Sequence, residues 1–249
     1  MRLMSALICL LGVVIVVPTT GRGVSAQATP PAAQGQAPAA QADGSRAITD
    51  GGVFVPGWVG KIDANEEKAG LVLANAKLSQ EGAALRVTTG PAVTYWNPKN
   101  VATGTYTVKA TFNEPKYMNV NSHPHPYGIV IAGNDLGTAT QSYLYCAAYG
   151  SGTFIVRGFG PEPFQMNGRR GAAAPSVNKA AGPGSPVTQE IAMAVTPDSV
   201  TCTINGTVVA TYPKTEVVGP GKLKSTDGVY GIRFAHNTDG IVTGFGLVK

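Results

Sequence analysis

From Ala83 to Val248 the chain is a succession of short runs rich in β-branched and aromatic residues, bounded by glycine, proline or asparagine. The runs are Ala83–Thr89, Ala92–Trp96, Thr105–Phe112, Tyr127–Ala132, Ser142–Tyr149, Thr153–Phe159, Gln189–Val195, Val200–Ile204, Val208–Tyr212, Val229–Ala235 and Ile241–Val248. Short strands at this spacing, with turn signals between them, specify a sandwich or barrel. The predicted fold is all-β, a two-sheet antiparallel β-sandwich of the jelly-roll type. With 43% hydrophobic residues, 32 Gly and 18 Pro, the chain has enough apolar surface for one core and enough turn formers to join its strands. The one helix candidate is Ala64–Leu78, where Glu66, Glu67 and Lys68 suit a first turn, but Gly70 and β-branched neighbours weaken it, so a loop or an irregular strand is an equal alternative. Asn205-Gly206 between two apolar runs reads as a type I′ hairpin turn rather than as a glycosylation acceptor.

Residues 1–26 read as a secretory signal. Arg2 precedes an apolar run from Leu7 to Val17, too short to span a bilayer comfortably, and Val24-Ser25-Ala26 offers small residues for cleavage. Residues 27–47, dominated by Ala, Gln, Pro and Gly, read as a disordered linker, because such a segment cannot bury enough surface to offset its ordering entropy. The folded domain is then 48–249, secreted or periplasmic, without stable membrane insertion once the signal is removed. The formal net charge is +5, partly from Arg2 and Arg22, and the other basic residues are scattered. No lysine–arginine run tracks a phosphate backbone, which argues against nucleic acid as a partner.

Cys146 and Cys202 each alternate onto an apolar strand face. If strands 142–149, 153–159, 189–195 and 200–204 form a meander, three strand spacings of ~4.8 Å separate them. That distance exceeds the ~7 Å limit for a disulfide, so two buried thiols are expected. A different strand order reverses this expectation.

The run Ser142–Tyr149 is the most informative about a ligand. Its alternation sends Leu144, Cys146 and Ala148 to one face, and Tyr143, Tyr145 and Tyr149 to the other. Aromatic rings with hydroxyl handles suit sugar rings, whose apolar side stacks while hydroxyls exchange hydrogen bonds; cross-strand packing is the alternative. The same counting adds Arg157, Glu190 and Arg233 to that outer face as charged groups for a ligand's hydroxyls or carboxylates. His123-Pro124-His125-Pro126-Tyr127 reads as an extended rim segment, with Tyr127 placed among the ligand-binding residues. His123, His125 and Glu190 are the candidates for acid–base chemistry. No cofactor and no metal ligand is assigned. A metal ion at the two histidines stays open, because a zinc-like site needs a third ligand such as Asp135 or His236. The irregular stretch from Gly160 to Pro186 carries Arg169 and Arg170, which complete the ligand-binding set as a loop over the groove.

Several segments together carry a family resemblance: Tyr127 to Gly133, Tyr143 to Tyr149, Ile204 to Ala210, and Gly228 to Phe234 with Gly244 to Leu247. Across roughly Trp58 to Val248 the chain resembles concanavalin A-like jelly rolls, and within them the 3-keto-disaccharide hydrolase-like family. It departs from that family at Ala132, where a basic residue is common. It departs again at Ala235-His236-Asn237-Thr238, where a Gln-Asp-His-Gly stretch is usual. The resemblance implies a concave glycan-facing sheet. The expected function is an exported carbohydrate-binding domain. The alternatives are a keto-sugar hydrolase or lyase using the same groove, and a structural or cell-surface interaction module.

Overall fold

The computed structural model describes residues 44–160 and 162–248, so the signal at 1–26 and the linker up to residue 43 lie outside the described residues. Two sheets of antiparallel strands make up the domain, with one short parallel pair at an edge. The first sheet runs in the order β1 (Gly52–Val53), β3 (Ala76–Glu81), β4 (Ala84–Thr89), β16 (Asp239–Leu247), β6 (Tyr106–Glu114), β12 (Val187–Val195), β13 (Ser199–Ile204), β14 (Thr207–Pro213). The second runs β10 (Pro163–Gln165), β9 (Thr153–Phe159), β8 (Ser142–Tyr149), β7 (Pro126–Asn134), β15 (Gly228–Phe234), β5 (Val93–Ala102), β2 (Val59–Ile62), with β11 (Ala172–Ala173) also on β9. Hairpin runs stay within one sheet (β3–β4 and β12–β14 in the first, β7–β10 in the second) while longer connections cross between the sheets, which gives the jelly-roll sandwich expected of the sequence pattern.

Period-2 alternation decides what lies between the sheets. Phe112, Ile191, Met193, Val200 and Ile204 of the first sheet meet Ile129, Leu144, Phe154, Val156, Ile232 and Phe234 of the second in one core. Tyr127 belongs to this core: it is 1% exposed, packed between Phe112 and Phe234. Its place among the ligand-binding residues is therefore corrected, since in register with Ala148 it faces inward.

The cysteine expectation is also overturned. The four strands do not form a meander: β8 and β9 lie in the second sheet, β12 and β13 in the first. Cys146 and Cys202 face each other across the core with Cα atoms 6.2 Å apart and form a disulfide joining the two sheets. A loop closure of 56 residues restricts the unfolded chain by about 4 kcal/mol in the chain-entropy picture.

Of the helix candidate Ala64–Leu78, only α1 (Ala64–Lys68) and a 3-10 turn at Leu73–Asn75 are helical. Gly70, at φ 86°, turns the chain away, and Ala76 already begins β3. The Asn205-Gly206 turn is as expected, with φ 51° and 79° and Ile204 opposite Thr207. The stretch from 160 to 186 is more structured than its composition suggests, for β10 and β11 both pair with β9. Between them Asn167 imitates a strand residue, accepting from Val156 N at 2.9 Å and donating to Phe154 O at 3.2 Å. Order also begins before Ile48: the Arg46 side chain donates to Asp239 and to the carbonyls of Thr89 and Thr238.

Candidate functional site

The outward face of the second sheet carries the site, and strand register lays out its rows. One row runs Arg157, Tyr145, Val130, Gly231, Trp96; the next runs Ile155, Ala147, Gly128, Arg233, Thr94. Small residues in the middle of the second row (Ala147 and Gly128) make a shallow floor flanked by larger side chains. Above it lies a cavity of about 590 Å³. Its walls include Tyr145, Tyr149, Arg157, Arg169, Arg170, Arg233 and the three histidines.

Tyr143, Tyr145 and Tyr149 do share the outward face, as alternation predicts, but they are not equally open. Tyr143 is 2% exposed and Tyr145 3%, in a cluster with Val130, Ala147 and Ile155 that Phe159 and Tyr149 pack against. Tyr143 is thereby removed from the ligand-contacting set: its ring lies 4.9 Å from Phe159, and its hydroxyl bonds Thr94 and the Arg233 guanidinium. Tyr145 forms floor, and Tyr149, half-buried at the end of β8, is the most accessible of the three. Burial pushes the hydroxyls of Tyr143 and Tyr149 up to about 12, so both stay protonated at neutral pH.

Arg233 is buried and fully occupied. It makes a two-pronged pair with Asp63 at 2.8 and 2.6 Å, donates to Thr94 Oγ1 at 3.0 Å, and lies over the Tyr145 ring at 5.1 Å. It organises the groove from beneath rather than offering a fresh donor to a ligand. Arg157 is different. It is half-buried, lies 5.6 Å from the centroid of Phe159, and its Nε is buried with no hydrogen-bond partner among the described residues. It also borders a second hollow of about 450 Å³ that contains Asp63, Glu67 and Glu162. Arg169 and Arg170 reach the main cavity from the turn that Asn167 pins beside β9. Arg157, Arg169 and Arg170 therefore line one cavity.

Glu190 does not. It lies on β12 of the first sheet and pairs with Lys109 at 3.0 Å, on the far side of the core from the cavity. Counting along the strand gave its face correctly but not its sheet, so its roles as ligand group and as acid–base candidate are withdrawn. Asp135 is likewise at the wrong end of β7, paired with Lys224.

His123 and His125 are on the cavity rim, held extended by Pro124 and Pro126. The antiparallel register Phe234 opposite Tyr127, continued by Ala235 N donating to Pro126 O, brings His236 beside His125. The His125 and His236 rings stack at 3.9 Å, and the Nε2 atoms of His123 and His125 are 2.8 Å apart. Sequence reasoning named His236 only in passing and missed Asp63, Thr94 and Phe159. The β7–β15 register was the signal for His236; none marked Asp63, which reaches Arg233 from the turn before α1.

Fold and groove define a two-sheet jelly-roll β-sandwich with a cavity on the outer face of one sheet. No protein-family model matches the chain, and no curated protein sequence does. Among solved structures it is similar to the carbohydrate-binding module CBM66 from Bacillus subtilis, with TM-score 0.51 and 5% identity over 80% of this chain and 99% of that one. A galectin-like-fold protein of unknown function from Bacillus subtilis matches with TM-score 0.49 and 13% identity, over 76% of this chain and 88% of that one. The laminarinase catalytic domain from Thermotoga maritima MSB8 matches with TM-score 0.45 and 12% identity, over 80% and 95%. The first similarity shows a shared fold; the other two are too distant to add to it.

Proposed function

We propose that this chain is an exported carbohydrate-binding domain whose glycan lies in the groove over Ala147, Ile155 and Tyr149. The observation that carries the reading is the composition of the 590 Å³ cavity: an apolar and aromatic floor rimmed by arginines. Such a surface stacks the apolar side of a sugar ring while guanidinium groups bond its oxygens. The fold shared with a carbohydrate-binding module supports the same reading. Arg157, Arg169 and Arg170 favour glycans that carry carboxylate or sulfate groups over neutral ones. The disulfide between the sheets supports export, since such bonds persist in oxidising compartments. The test is a glycan array of neutral and acidic sugars probed with the native domain and with Tyr149→Ala. Binding to acidic glycans that the substitution abolishes is expected; no glycan bound, or equal binding by both proteins, overturns the reading.

A second reading, an enzyme of the 3-keto-disaccharide hydrolase or lyase type, is favoured by one observation: three imidazoles open onto the same groove. His123 and His125 remain its acid–base candidates. Incubation with 3-keto-glucosides decides it, since product formation requires catalysis and its absence at high protein concentration excludes this class.

A further inference from the structure

The chain contains three histidines, and all three come together at one end of the groove. One ligand nitrogen from each of His123, His125 and His236 lies within 4.8 Å of the other two. Two strand ends bring them there. His123 and His125 are two residues apart on an extended, proline-flanked segment and so point the same way, while His236 follows the end of β15 and stacks on His125.

The outer hydrogen bonds fix which nitrogen of His125 faces inward. Nδ1 of His125 contacts the backbone carbonyl of His236. A carbonyl only accepts, so Nδ1 carries a proton, and in the neutral ring Nε2 then carries the lone pair. That Nε2 points at Nε2 of His123, whose Nδ1 in turn meets Ser122 Oγ at 3.3 Å. Two imidazoles with their Nδ1 edges on an oxygen and their Nε2 edges converging have the outer-shell arrangement of metal-ligating histidines. The backbone behind them is well anchored. The His236 carbonyl also accepts from Thr238 Oγ1 at 3.0 Å, and Asn237 bonds Arg46 N at 2.7 Å and the Gly44 carbonyl at 2.9 Å.

We infer that His123, His125 and His236 form a binding site for one divalent transition-metal ion of the zinc, cobalt or nickel class, opening onto the groove. Imidazole nitrogens suit these ions, whereas calcium and magnesium require oxygen donors. Nitrogens ~2.1 Å from a shared ion are at most ~4.2 Å apart, so the set closes on an ion with side-chain shifts of about an ångström or less. Three imidazoles supply three positions in the coordination sphere of such an ion. This inference goes beyond the carbohydrate reading and does not rest on it, because its readout uses no glycan.

The experiment is titration of the full chain, without a histidine tag, with Co²⁺ followed by visible absorption and with Zn²⁺ by calorimetry. One ion per chain is expected. His123→Ala, at the exposed member, and His236→Ala should each weaken binding at least about ten-fold, with Glu190→Gln, on the opposite sheet, leaving it unchanged. Circular dichroism of each variant verifies folding, and His123→Ala, being exposed, keeps the test decisive if a buried histidine cannot be replaced. No ion bound by the native protein, or undiminished binding by folded His123→Ala and His236→Ala, overturns the site.

Discussion

At the scale of single residues, two buried ionisable groups stand out, Arg233 beneath the groove and Glu114 on the first sheet. The Arg233–Asp63 pair, with side chains 9% and 26% exposed, ties β15 to the turn before α1 and orients Tyr143 beneath the floor. Removing one partner of such a pair leaves a desolvated charge behind, so Asp63→Ala should cost about 3 kcal/mol in chemical denaturation. Arg233→Lys should cost nearly as much, because an ammonium cannot make the two-pronged contact. Glu114 is the second case. It is 3% exposed, its Oε2 has no hydrogen-bond partner among the described residues, and burial lifts its carboxyl to about 7. The Met118 amide opposes that rise and the charge of Asp239 adds to it. A folded-state value above the unfolded one means the protonated form is the one the fold prefers. Its stabilising contribution is complete below about 4.5 and is lost as pH rises through about 7. That loss amounts to about 3 kcal/mol. Glu114→Gln should therefore be more stable than the native protein at about pH 8 and should flatten the decline. Parallel denaturation curves at several pH values test it: an unchanged pH dependence in the variant would rule out Glu114 as the source.

At the scale of strands, what the sequence revealed and what it hid follow one physical divide. Which face a residue occupies depends on period-2 alternation, a local property, and the outward placing of Tyr143, Tyr145, Arg157 and Arg233 could be read directly. Which sheet a strand joins depends on long-range pairing, which local pattern does not encode. Hence Glu190 was assigned to the wrong sheet, and the cysteines were separated along a meander when they meet across the core. Burial of an outward residue is likewise set by distant segments, as with Tyr143 under Phe159 and Arg233. Strand pairing also explains two sensitivities. Cys202→Ala should lower stability by about 4 kcal/mol relative to the oxidised protein, and reduction of the native protein should do the same. If reduction leaves the denaturation midpoint unchanged, the link between the sheets contributes nothing. Gly128 is the other case: a Cβ there would run into the Cys146 carbonyl, so Gly128→Ala should push β7 from β8 and distort the floor. A thermal melt of Gly128→Ala matching the native one would contradict that.

At the scale of the molecule, the two sheets have divided their work. The first packs against the second across an apolar interface and presents exposed pairs such as Lys109–Glu190 to solvent. The second turns its outer face into a hollow with aromatic floor, cationic rim and a histidine corner, all positioned by neighbouring strand ends. Ligand recognition should therefore be confined to one side of the sandwich. The direct measurement is calorimetric titration of the strongest array glycan into the native domain, Tyr149→Ala, Arg170→Gln and Glu190→Gln. Affinity should fall at least about ten-fold, or ~1.4 kcal/mol, for Tyr149→Ala, and less for Arg170→Gln. Glu190→Gln should match the native protein. Glycan binding that survives Tyr149→Ala and is lost with Glu190→Gln would place the ligand on the opposite sheet and contradict the groove.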